Sequence, residues 1–327
     1  MKQELVDEVM TCLQDERRTL YYFKDRYCLD AIDTYMREAG IDRMGINELR
    51  KGAMGRFVNK PIVAQALKHC GDGHLWRHEL LAAWPKQQIP LQLTLASWGD
   101  GDRGWDQTTR NQSNLVLQLN FDHGHCREYE RRIKPSADSG PFESWNHPVV
   151  QGKRKTLAWV RLDIDFDTGE ALIEEIQSDW IRFADRALRR TKHSRNRTPA
   201  VKPCDVVRDM SGSFEDLVEY VDHQLTPYRS VWAEAAMYAA INFIRNDLGL
   251  ANIYYHSFET GGKLKKVYGS PPKSLYIQLP KQFGFESTDV APAFLQEDKF
   301  FRRCIRRIDN PRWQRLSKQH SPHHLDG

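Results

Sequence analysis

The sequence predicts an α+β protein in which a helical N-terminal region precedes a mixed, mostly antiparallel sheet. Apolar residues recur at helical spacing over residues 1–85, and from residue 86 onward they alternate with polar residues, as in half-buried strands. An alanine-rich helix over 232–249 then separates two further apolar strands, which adds a strand–helix–strand unit. We therefore divide the chain into a helical region (1–85), a mixed α/β domain (86–300) and a basic C-terminal segment with a tail (301–327).

Composition excludes several classes of protein. Hydrophobic residues make up 40% of the 327 residues and aromatic residues 11%, which suffices for one large core or two ordinary ones. No apolar run approaches the ~20 residues that span a bilayer, and the N-terminus lacks the apolar stretch of a secretion signal. The six cysteines are widely spaced, so no disulfide framework is predicted. We expect a cytoplasmic protein without a membrane partner.

Positive charge is concentrated in two clusters. The chain carries 48 Lys+Arg against 44 Asp+Glu, a net charge of +4, which by itself does not predict a nucleic-acid partner. The clusters are Arg182, Arg186, Arg189, Arg190, Lys192, Arg195 and Arg197, and then Arg302, Arg303, Arg306, Arg307, Arg312 and Arg315. Such clusters suit nucleic acid or the phosphates of CoA. The first cluster also fits a solvated basic helix.

The helical region and the first strands follow from periodicity. Two helices, or one bent helix, are predicted over 4–38, and a further helical segment over 47–70 has Pro61 in a first turn, so this region is expected to be all helical. Alternation predicts strands over 89–95 and 115–121. A β-hairpin is predicted over 158–176, with its turn at Asp167-Thr168-Gly169.

The second half of the chain is predicted as a parallel strand–helix–strand unit. The basic segment between the hairpin and Trp232 is expected to be irregular, and the helix that follows ends at Gly249. A strand at 253–255, a helix through Leu264 and a last strand near 275–279 are predicted to complete the sheet. The strand at 253–255 should lie parallel to the second hairpin strand, because such crossovers usually return to a neighbouring position.

The chemistry-bearing residues concentrate at the end of the second hairpin strand, over residues 173–180. Alternation places Glu175 and Gln177 on one face and Glu174 on the other, so each face carries a carboxylate. A carboxylate on an interior strand is costly unless it is paired, bound to a ligand or at work. The alternative is that Glu175 and Asp179 form structural ion pairs.

This strand end resembles a domain of large multidomain "polyvalent" proteins from phages and conjugative elements. Those proteins have a strand that ends in E-I-Q-S-D-W, as residues 175–180 do here. A tryptophan-led helix, a short strand, the pair Thr260-Gly261 and then Tyr268 follow at similar spacing, although Glu259 stands where that family has an aromatic residue. The resemblance covers about residues 145–270 and implies an association with mobile elements, without an established activity.

Residues 174–285 also look like the second half of an acetyltransferase fold of the GNAT type. That resemblance implies an acyl-CoA bound in a splay between two parallel strands. It further implies a glutamate that acts as base through water, and a tyrosine that protonates the departing thiolate. In this chain they would be Glu175 and Tyr268, with Tyr276 as a substitute acid, and both need hydrogen-bond reach of the transferred proton.

Further site residues are expected at the edge where the two parallel strands end. Ligands of open α/β sheets gather at such an edge, which receives Gln177 and Asp179 from one strand and His256 from the other. Thr260 is predicted to cap a helix beginning at Gly261, so that free amides point at this edge. For the CoA phosphates the chain offers Arg229 and Ser230 before the long helix, without the glycines of the usual loop.

Two other functions remain open. A magnesium-dependent nuclease of the PD-(D/E)xK type would use Asp163 or Asp165 with Glu175, and Gln177 would stand where lysine is usual. A catalytically silent interaction module would use the helical N-terminal region to bind a partner. The scattered histidines and cysteines over 69–126 match no closed zinc motif, so no metal site is predicted there.

Two tryptophans mark a loop near the predicted site. Trp98 and Trp105 flank a Gly/Asp-rich segment, where they would either cover a cleft or act as packing anchors. The acceptor substrate of an acyltransferase and the oligomeric state are not predicted by any motif.

Overall fold

A computed structural model of the chain describes residues 1–13, 18–99, 107–136, 140–144, 146–150, 154–265 and 272–317. These residues form two compact units. The larger comprises Met1–Leu20 and Pro90–Ser317, and the smaller comprises Tyr21–Ile89. The α+β class predicted from the sequence is confirmed, with helices and a mostly antiparallel mixed sheet.

The bounds of the elements are as follows. The strands are β1 Arg18–Tyr22, β2 Arg43–Gly45, β3 His74–Trp76, β4 Ile89–Trp98, β5 Asn114–Phe121, β6 Thr156–Asp165, β7 Glu170–Gln177, β8 Asn252–His256, β9 Glu286–Thr288 and β10 Trp313–Leu316. The helices are α1 Gln3–Leu13, α2 Arg26–Glu38, α3 Ile46–Lys51, α4 Pro61–Lys68, α5 Arg77–Ala82, α6 His123–Ile133, α7 Asp179–Arg197, α8 Phe214–Val218, α9 Thr226–Asn242, α10 Phe258–Leu264, α11 Lys273–Phe283, α12 Ala293–Gln296 and α13 Lys299–Ile305. Two π-helical turns follow α8 and α9, at Glu219–Gln224 and Phe243–Asp247.

The smaller unit is mainly helical, and β2 and β3 form a short antiparallel sheet within it. Its buried apolar residues include Tyr27, Ile32, Met36, Leu49 and Leu75. The sequence predicts residues 1–85 to be all helical, and here the structure corrects it, because β1, β2 and β3 also lie in this stretch. The last two have three residues each, which is too short for an alternating pattern to stand out.

The main sheet has eight strands in the order β1-β4-β5-β6-β7-β8-β10-β9. Neighbours from β4 to β7 are antiparallel, β7 and β8 are parallel, and β8, β10 and β9 are antiparallel again. The parallel placement of β8 beside β7 confirms the crossover predicted from the sequence. Residues 301–317, predicted to lie in a separate basic segment, contribute β10, which pairs directly with β8.

Helices cover both faces of this sheet. Helix α9 packs against β6 and β7, and its small residues Ala235, Ala236 and Ala240 allow a close approach. The face that carries Leu172 and Tyr254 is covered by apolar residues of α12 and α13. The core of the larger unit therefore lies on either side of β7, the strand that carries the predicted site.

Two segments differ from their predicted structure. The basic segment after β7, expected to be irregular, begins with the 19-residue helix α7, which buries Trp180, Ala184 and Leu188 at helical spacing and exposes most of its arginines. The last strand predicted near 275–279 is helix α11, which buries Tyr276 and Leu279 three residues apart. In both segments, too few apolar residues mark the buried face for the period to be read unambiguously.

Candidate functional site

The ladder between the parallel strands β7 and β8 ends in the middle of the sheet. Their pairing runs over four residue pairs, from Glu170–Asn252 to Ile173–Tyr255. Strand β8 ends one residue later, whereas β7 continues to Gln177. Just beyond the last pair, Nζ of the buried Lys265 donates to the main-chain oxygen of Glu174 at 2.6 Å. A side chain thus satisfies a carbonyl group at the place where the ladder between the two strands ends.

A β-bulge lies at the same point of β7. Arg161 of β6 pairs with Glu175, but the next residue, Leu162, pairs with Ile173, so Glu174 is the extra residue. The bulge interrupts the alternation that was expected to place Glu174 and Glu175 on opposite faces. Lys265 lies close to both residues, because its Nζ is also 3.6 Å from Glu175 Oε2.

Glu174 belongs to a fully buried polar network. Its carboxylate accepts from the main-chain nitrogen of Thr109 at 3.0 Å and from the Thr109 hydroxyl at 2.7 Å, and it lies 3.1 Å from His256 Nε2. Burial alone would raise the pKa of this carboxyl, but the hydrogen bond and charge of His256 hold it well below its usual value. The network therefore ties the chain at Thr109 to β7 and β8.

His256, a predicted catalytic residue, is an interior member of this network. Its side chain is 0% exposed, and its Nδ1 lies 3.2 Å from the hydroxyl of Thr260. Both ring nitrogens thus face protein groups, and a substrate cannot reach them while the core stays closed. The geometry supports a structural role for His256.

Glu175, the predicted base, lies between two cations. Its carboxylate bonds to Arg161 and lies 3.6 Å from Lys265, and its side chain is 14% exposed. Burial would raise the pKa of Glu175, but the charges of Lys265 and Arg161 lower it below its ordinary value. A carboxylate held in this way is a weak base, so its charge is better suited to an electrostatic role.

The aromatic side chains Tyr255 and Tyr276 lie next to the point where the ladder between β7 and β8 ends. Their rings stack at 5.6 Å, and the Tyr255 hydroxyl is buried without a hydrogen-bond partner among the described residues. Burial, with the negative charge of Glu175, raises the pKa of Tyr276. Tyr276, the substitute acid, thus lies within electrostatic reach of Glu175. Tyr268, the first choice, lies outside the described residues.

Thr260 and Gly261 lie inside the short helix α10 rather than at its start. Ser257 is the N-cap, and its hydroxyl accepts from the main-chain nitrogen of Thr260, which corrects the predicted cap. A Cβ added to Gly261 would lie 2.8 Å from Cε1 of Tyr276. Gly261 therefore brings α10 into close contact with Tyr276.

Asp179 and Gln177 form a second polar cluster beyond the bulge. The Asp179 carboxylate accepts from Gln177 at 2.7 Å, from Trp159 Nε1 at 3.2 Å and from Arg182, and it lies 2.7 Å from His147 Nδ1. Burial would raise the pKa of Asp179, but the hydrogen bond with His147 lowers it. The cluster therefore holds an ionised carboxylate at the start of α7.

His147 was not among the residues predicted from the sequence. Its side chain is 26% exposed, and its ring lies 6.4 Å from that of Trp98 and 5.5 Å from that of Trp159. The guanidinium of Arg161 lies over both indoles, at 5.5 and 5.9 Å. Trp98 thus lies against His147 and Arg161, while Trp105 lies outside the described residues, so the cleft between the two tryptophans stays a prediction. A lone histidine in a Pro/Ser-rich loop gives no signal of its own.

Arg229 and Ser230, predicted to bind phosphate, are engaged within the protein. Arg229 bonds to Asp185 and to the main-chain oxygen of Val221, and the Ser230 hydroxyl donates to Pro227. The main-chain nitrogens of Leu225 and Arg229 donate to the preceding helical turn. The start of α9 therefore continues a helix and does not supply the open amides that an anion site requires.

The carboxylates that a magnesium-dependent nuclease requires do not converge. Asp163 is buried and bonded by Arg110 through two nitrogens, at 2.7 and 2.8 Å, while Asp165 bonds to Thr168. Among the described residues, no group of three or more His, Cys, Asp or Glu side chains is arranged to hold a metal ion.

Three further observations bear on partners. The arginines and lysine of α7 at 182, 186, 189, 190, 192 and 197 are exposed on one helix, which leaves them accessible to a polyanion. A cavity of about 410 Å³ lies along β4 and β5, and none of the described site residues predicted above lines it. In the part of the chain that is described, no helix is long and apolar enough to cross a membrane.

Comparison with family models, with curated proteins and with solved structures found no match for this chain. The resemblances to the E-I-Q-S-D-W domain and to GNAT acetyltransferases therefore remain predictions. Residues 175–180 form the end of β7 and the first turn of α7.

Proposed function

We propose that this protein is an acyltransferase of the GNAT type, which transfers an acyl group from acyl-CoA to a nucleophilic acceptor. The observation that carries this proposal is the parallel pair β7/β8, whose ladder runs over four residue pairs and ends beside a β-bulge, while β7 continues beyond the end of β8. Beyond the end of the ladder lies a gap, where β7 has no strand partner on this side among the described residues. Lys265 holds the carbonyl of Glu174, and the amides of an acyl-CoA arm are suited to pair with main-chain groups further along β7.

The side chains around the gap fit this role. The Tyr255 hydroxyl is buried and lacks a protein partner among the described residues, so an amide or thioester oxygen of the substrate would satisfy it. Tyr276 is protonated at neutral pH, because burial raises a pKa that is already alkaline, and it would be the acid that protonates the departing thiolate. Glu175 contributes a fixed negative charge between Arg161 and Lys265.

The nuclease is the less supported alternative, because the carboxylates it requires are already neutralised. Asp163 is paired with Arg110, and Glu175 with Arg161 and Lys265. Binding of magnesium would have to displace these cations from largely buried positions, which is costly. The catalytically silent module would have the same fold as the acyltransferase. A test of ligand binding distinguishes the two.

Thermal unfolding with and without acetyl-CoA tests the proposal. We expect saturating acetyl-CoA to raise the Tm, since a ligand present at 100 times its Kd stabilises the folded state by about 2.7 kcal/mol. Adenosine diphosphate serves as the control for binding of the nucleotide part alone. A rise with Mg²⁺ only would favour the nuclease, and no rise with either ligand would favour the silent module.

Hydrogen exchange then locates the ligand. Amides at the end of β7 and in β8 should exchange more slowly with acetyl-CoA bound, while those of β9 at the sheet edge should not change. The variant Tyr276→Phe should bind acetyl-CoA as the wild type does but release CoA about 10²–10⁴ times more slowly, the range for loss of a general acid. Protection confined to other strands would contradict binding in the gap.

A further inference from the structure

A histidine–aspartate pair beside Trp98 and Trp159, His147 and Asp179, is left unassigned by the proposed function. His147 Nδ1 lies 2.7 Å from Asp179 Oδ2 and 3.1 Å from Gln177 Nε2. Because the Gln177 amide donates to Asp179 Oδ1 at 2.7 Å, we assign Nδ1–H of a neutral imidazole as the donor to Asp179 Oδ2. Its Nε2 then carries the lone pair. No hydrogen bond to Nε2 is made within the described part of the chain. This is the arrangement in which a carboxylate fixes the tautomer of a histidine base.

Asp179 is held in one orientation by groups other than His147. Gln177 and Trp159 donate to it at 2.7 and 3.2 Å, and Arg182 adds a charged donor. Its side chain is 3% exposed, so the carboxylate is shielded from water. A preorganised carboxylate of this kind positions a base without reorganisation during the reaction.

His147 lies on the same side of the site as the proposed acyl position. Gln177 bonds to Asp179 and lies two residues after Glu175 on β7, so both side chains project in the same direction from the strand. Arg161, which bonds to Glu175, lies over the same two indoles that flank the His147 ring, so the imidazole lies near the end of the β7–β8 ladder. An acceptor that lies over the end of β7 would therefore contact both.

A purely structural role explains these contacts less well. Asp179 already receives three donors from residues that are needed to join β6, β7 and α7, so a fourth donor is not required to satisfy it. His147 comes from a different loop and keeps a 26% exposed ring between two indoles. Its partial exposure leaves the His147 ring accessible to a substrate.

We infer that His147 is the general base of the acyl transfer, with Asp179 as its positioning residue, and that the acceptor is an amine or a hydroxyl compound. This inference rests on the proposed function. The acceptor nitrogen or oxygen forms a bond to the thioester carbonyl carbon and gives its proton to His147 Nε2. The carbon–sulfur bond breaks, and the thiolate takes a proton from Tyr276. The imidazolium then loses its proton to solvent and Tyr276 regains one, so protons balance over the cycle.

The variant His147→Asn tests this role. Its amide nitrogen replaces Nδ1 as donor to Asp179, while the basic Nε2 is lost. We expect the Tm shift with acetyl-CoA to be unchanged and CoA release from acetyl-CoA, with water or an added amine as acceptor, to fall at least about 10²-fold. The matched control is His223→Asn, at an exposed histidine whose Nε2 is 3.9 Å from Glu219, and it should leave both measurements unchanged.

A second readout does not depend on the acceptor. Diethyl pyrocarbonate acylates neutral imidazole nitrogens, and mass spectrometry reports which histidines react. We expect His147 to react in the free protein and to be protected by acetyl-CoA, whereas His223 reacts equally in both conditions.

The outcomes separate this inference from the proposed function. No binding of acetyl-CoA to the wild type overturns the proposed function, and with it the role of His147. Binding in which His147 stays unprotected, or in which His147→Asn releases CoA at the wild-type rate, overturns only the role of His147. Protection together with slower release supports both.

Discussion

Two adjacent glutamates on β7 have different environments and therefore different roles. Glu174 is fully buried, and its ionised form is stabilised mainly by the hydrogen bond and charge of His256, while Thr109 donates two further hydrogen bonds. Glu175 neutralises two cations that would otherwise face each other, Arg161 and Lys265. The first carboxylate stabilises the junction of β7 and β8, and the second controls the charge of the gap between them.

Replacing Glu175 by glutamine should therefore lower stability as well as activity. Breaking a buried ion pair from one side costs about 3–5 kcal/mol, and the partial exposure of Glu175 reduces the expected loss to about 2–3 kcal/mol. Urea unfolding measures this loss. Glu297→Gln, at an exposed position, is the control and should change the free energy of unfolding by less than about 0.5 kcal/mol.

A double variant shows whether the charge itself is responsible. In Glu175→Gln combined with Lys265→Met, one of the two uncompensated cations is removed, so part of the stability should return. Recovery will be incomplete because Lys265 also donates to the main-chain oxygen of Glu174. An unchanged stability of Glu175→Gln alone would show that the ion pairs contribute little and would restore Glu175 as a candidate base.

At the scale of elements, strands with regular alternation were predictable and the site geometry was not. The hairpin β6/β7 follows from alternation and from Gly169, whose φ of 66° suits the turn. The bulge at Glu174 leaves no mark in the sequence, because an extra residue in one strand is defined only by its partner strand. His147 reaches Asp179 across 32 residues of chain, a contact that no local pattern encodes.

Helix α10 offers a direct test of the packing around the gap. Two consecutive glycines differ in their surroundings, since a Cβ at Gly261 would lie 2.8 Å from Tyr276 whereas one at Gly262 would meet no atom within 4 Å. Gly261→Ala should therefore destabilise the protein by about 1–3 kcal/mol and displace Tyr276, which weakens binding of acetyl-CoA. Gly262→Ala should stabilise it by about 0.4–1 kcal/mol.

Urea unfolding and the acetyl-CoA-induced Tm shift of both variants check this prediction. The two substitutions add the same methyl group to the same helix, so a difference between them reports contact with Tyr276 and not helix propensity. Equal effects of the two variants would show that α10 is not tightly packed against α11.

At the scale of the whole molecule, a cluster of aromatic rings joins helices on one side of the main sheet to β5. Its centre is His125 of α6, whose ring stacks on Phe121 at 4.0 Å and whose Nε2 lies 2.9 Å from the hydroxyl of Tyr220. The other members are Tyr129, Phe142, Trp180 and Tyr228. Because α6, α7 and α9 all contribute to it, a change in the charge of His125 affects the cooperative unit as a whole.

This cluster predicts how stability depends on pH. Burial lowers the pKa of His125 from 6.5 to about 4, so the folded state favours the neutral ring. The contribution of the neutral His125 ring to the free energy of unfolding is therefore fully present above pH ~6.5. It decreases as the pH falls, and by about pH 4 up to about 3 kcal/mol is lost. The variant His125→Gln, which keeps an acceptor for Tyr220, should show a flatter dependence of the free energy of unfolding over this range. His123→Gln, at the exposed neighbouring histidine, should follow the wild-type curve, and a wild-type stability that is constant between pH ~6.5 and ~4 would contradict the argument.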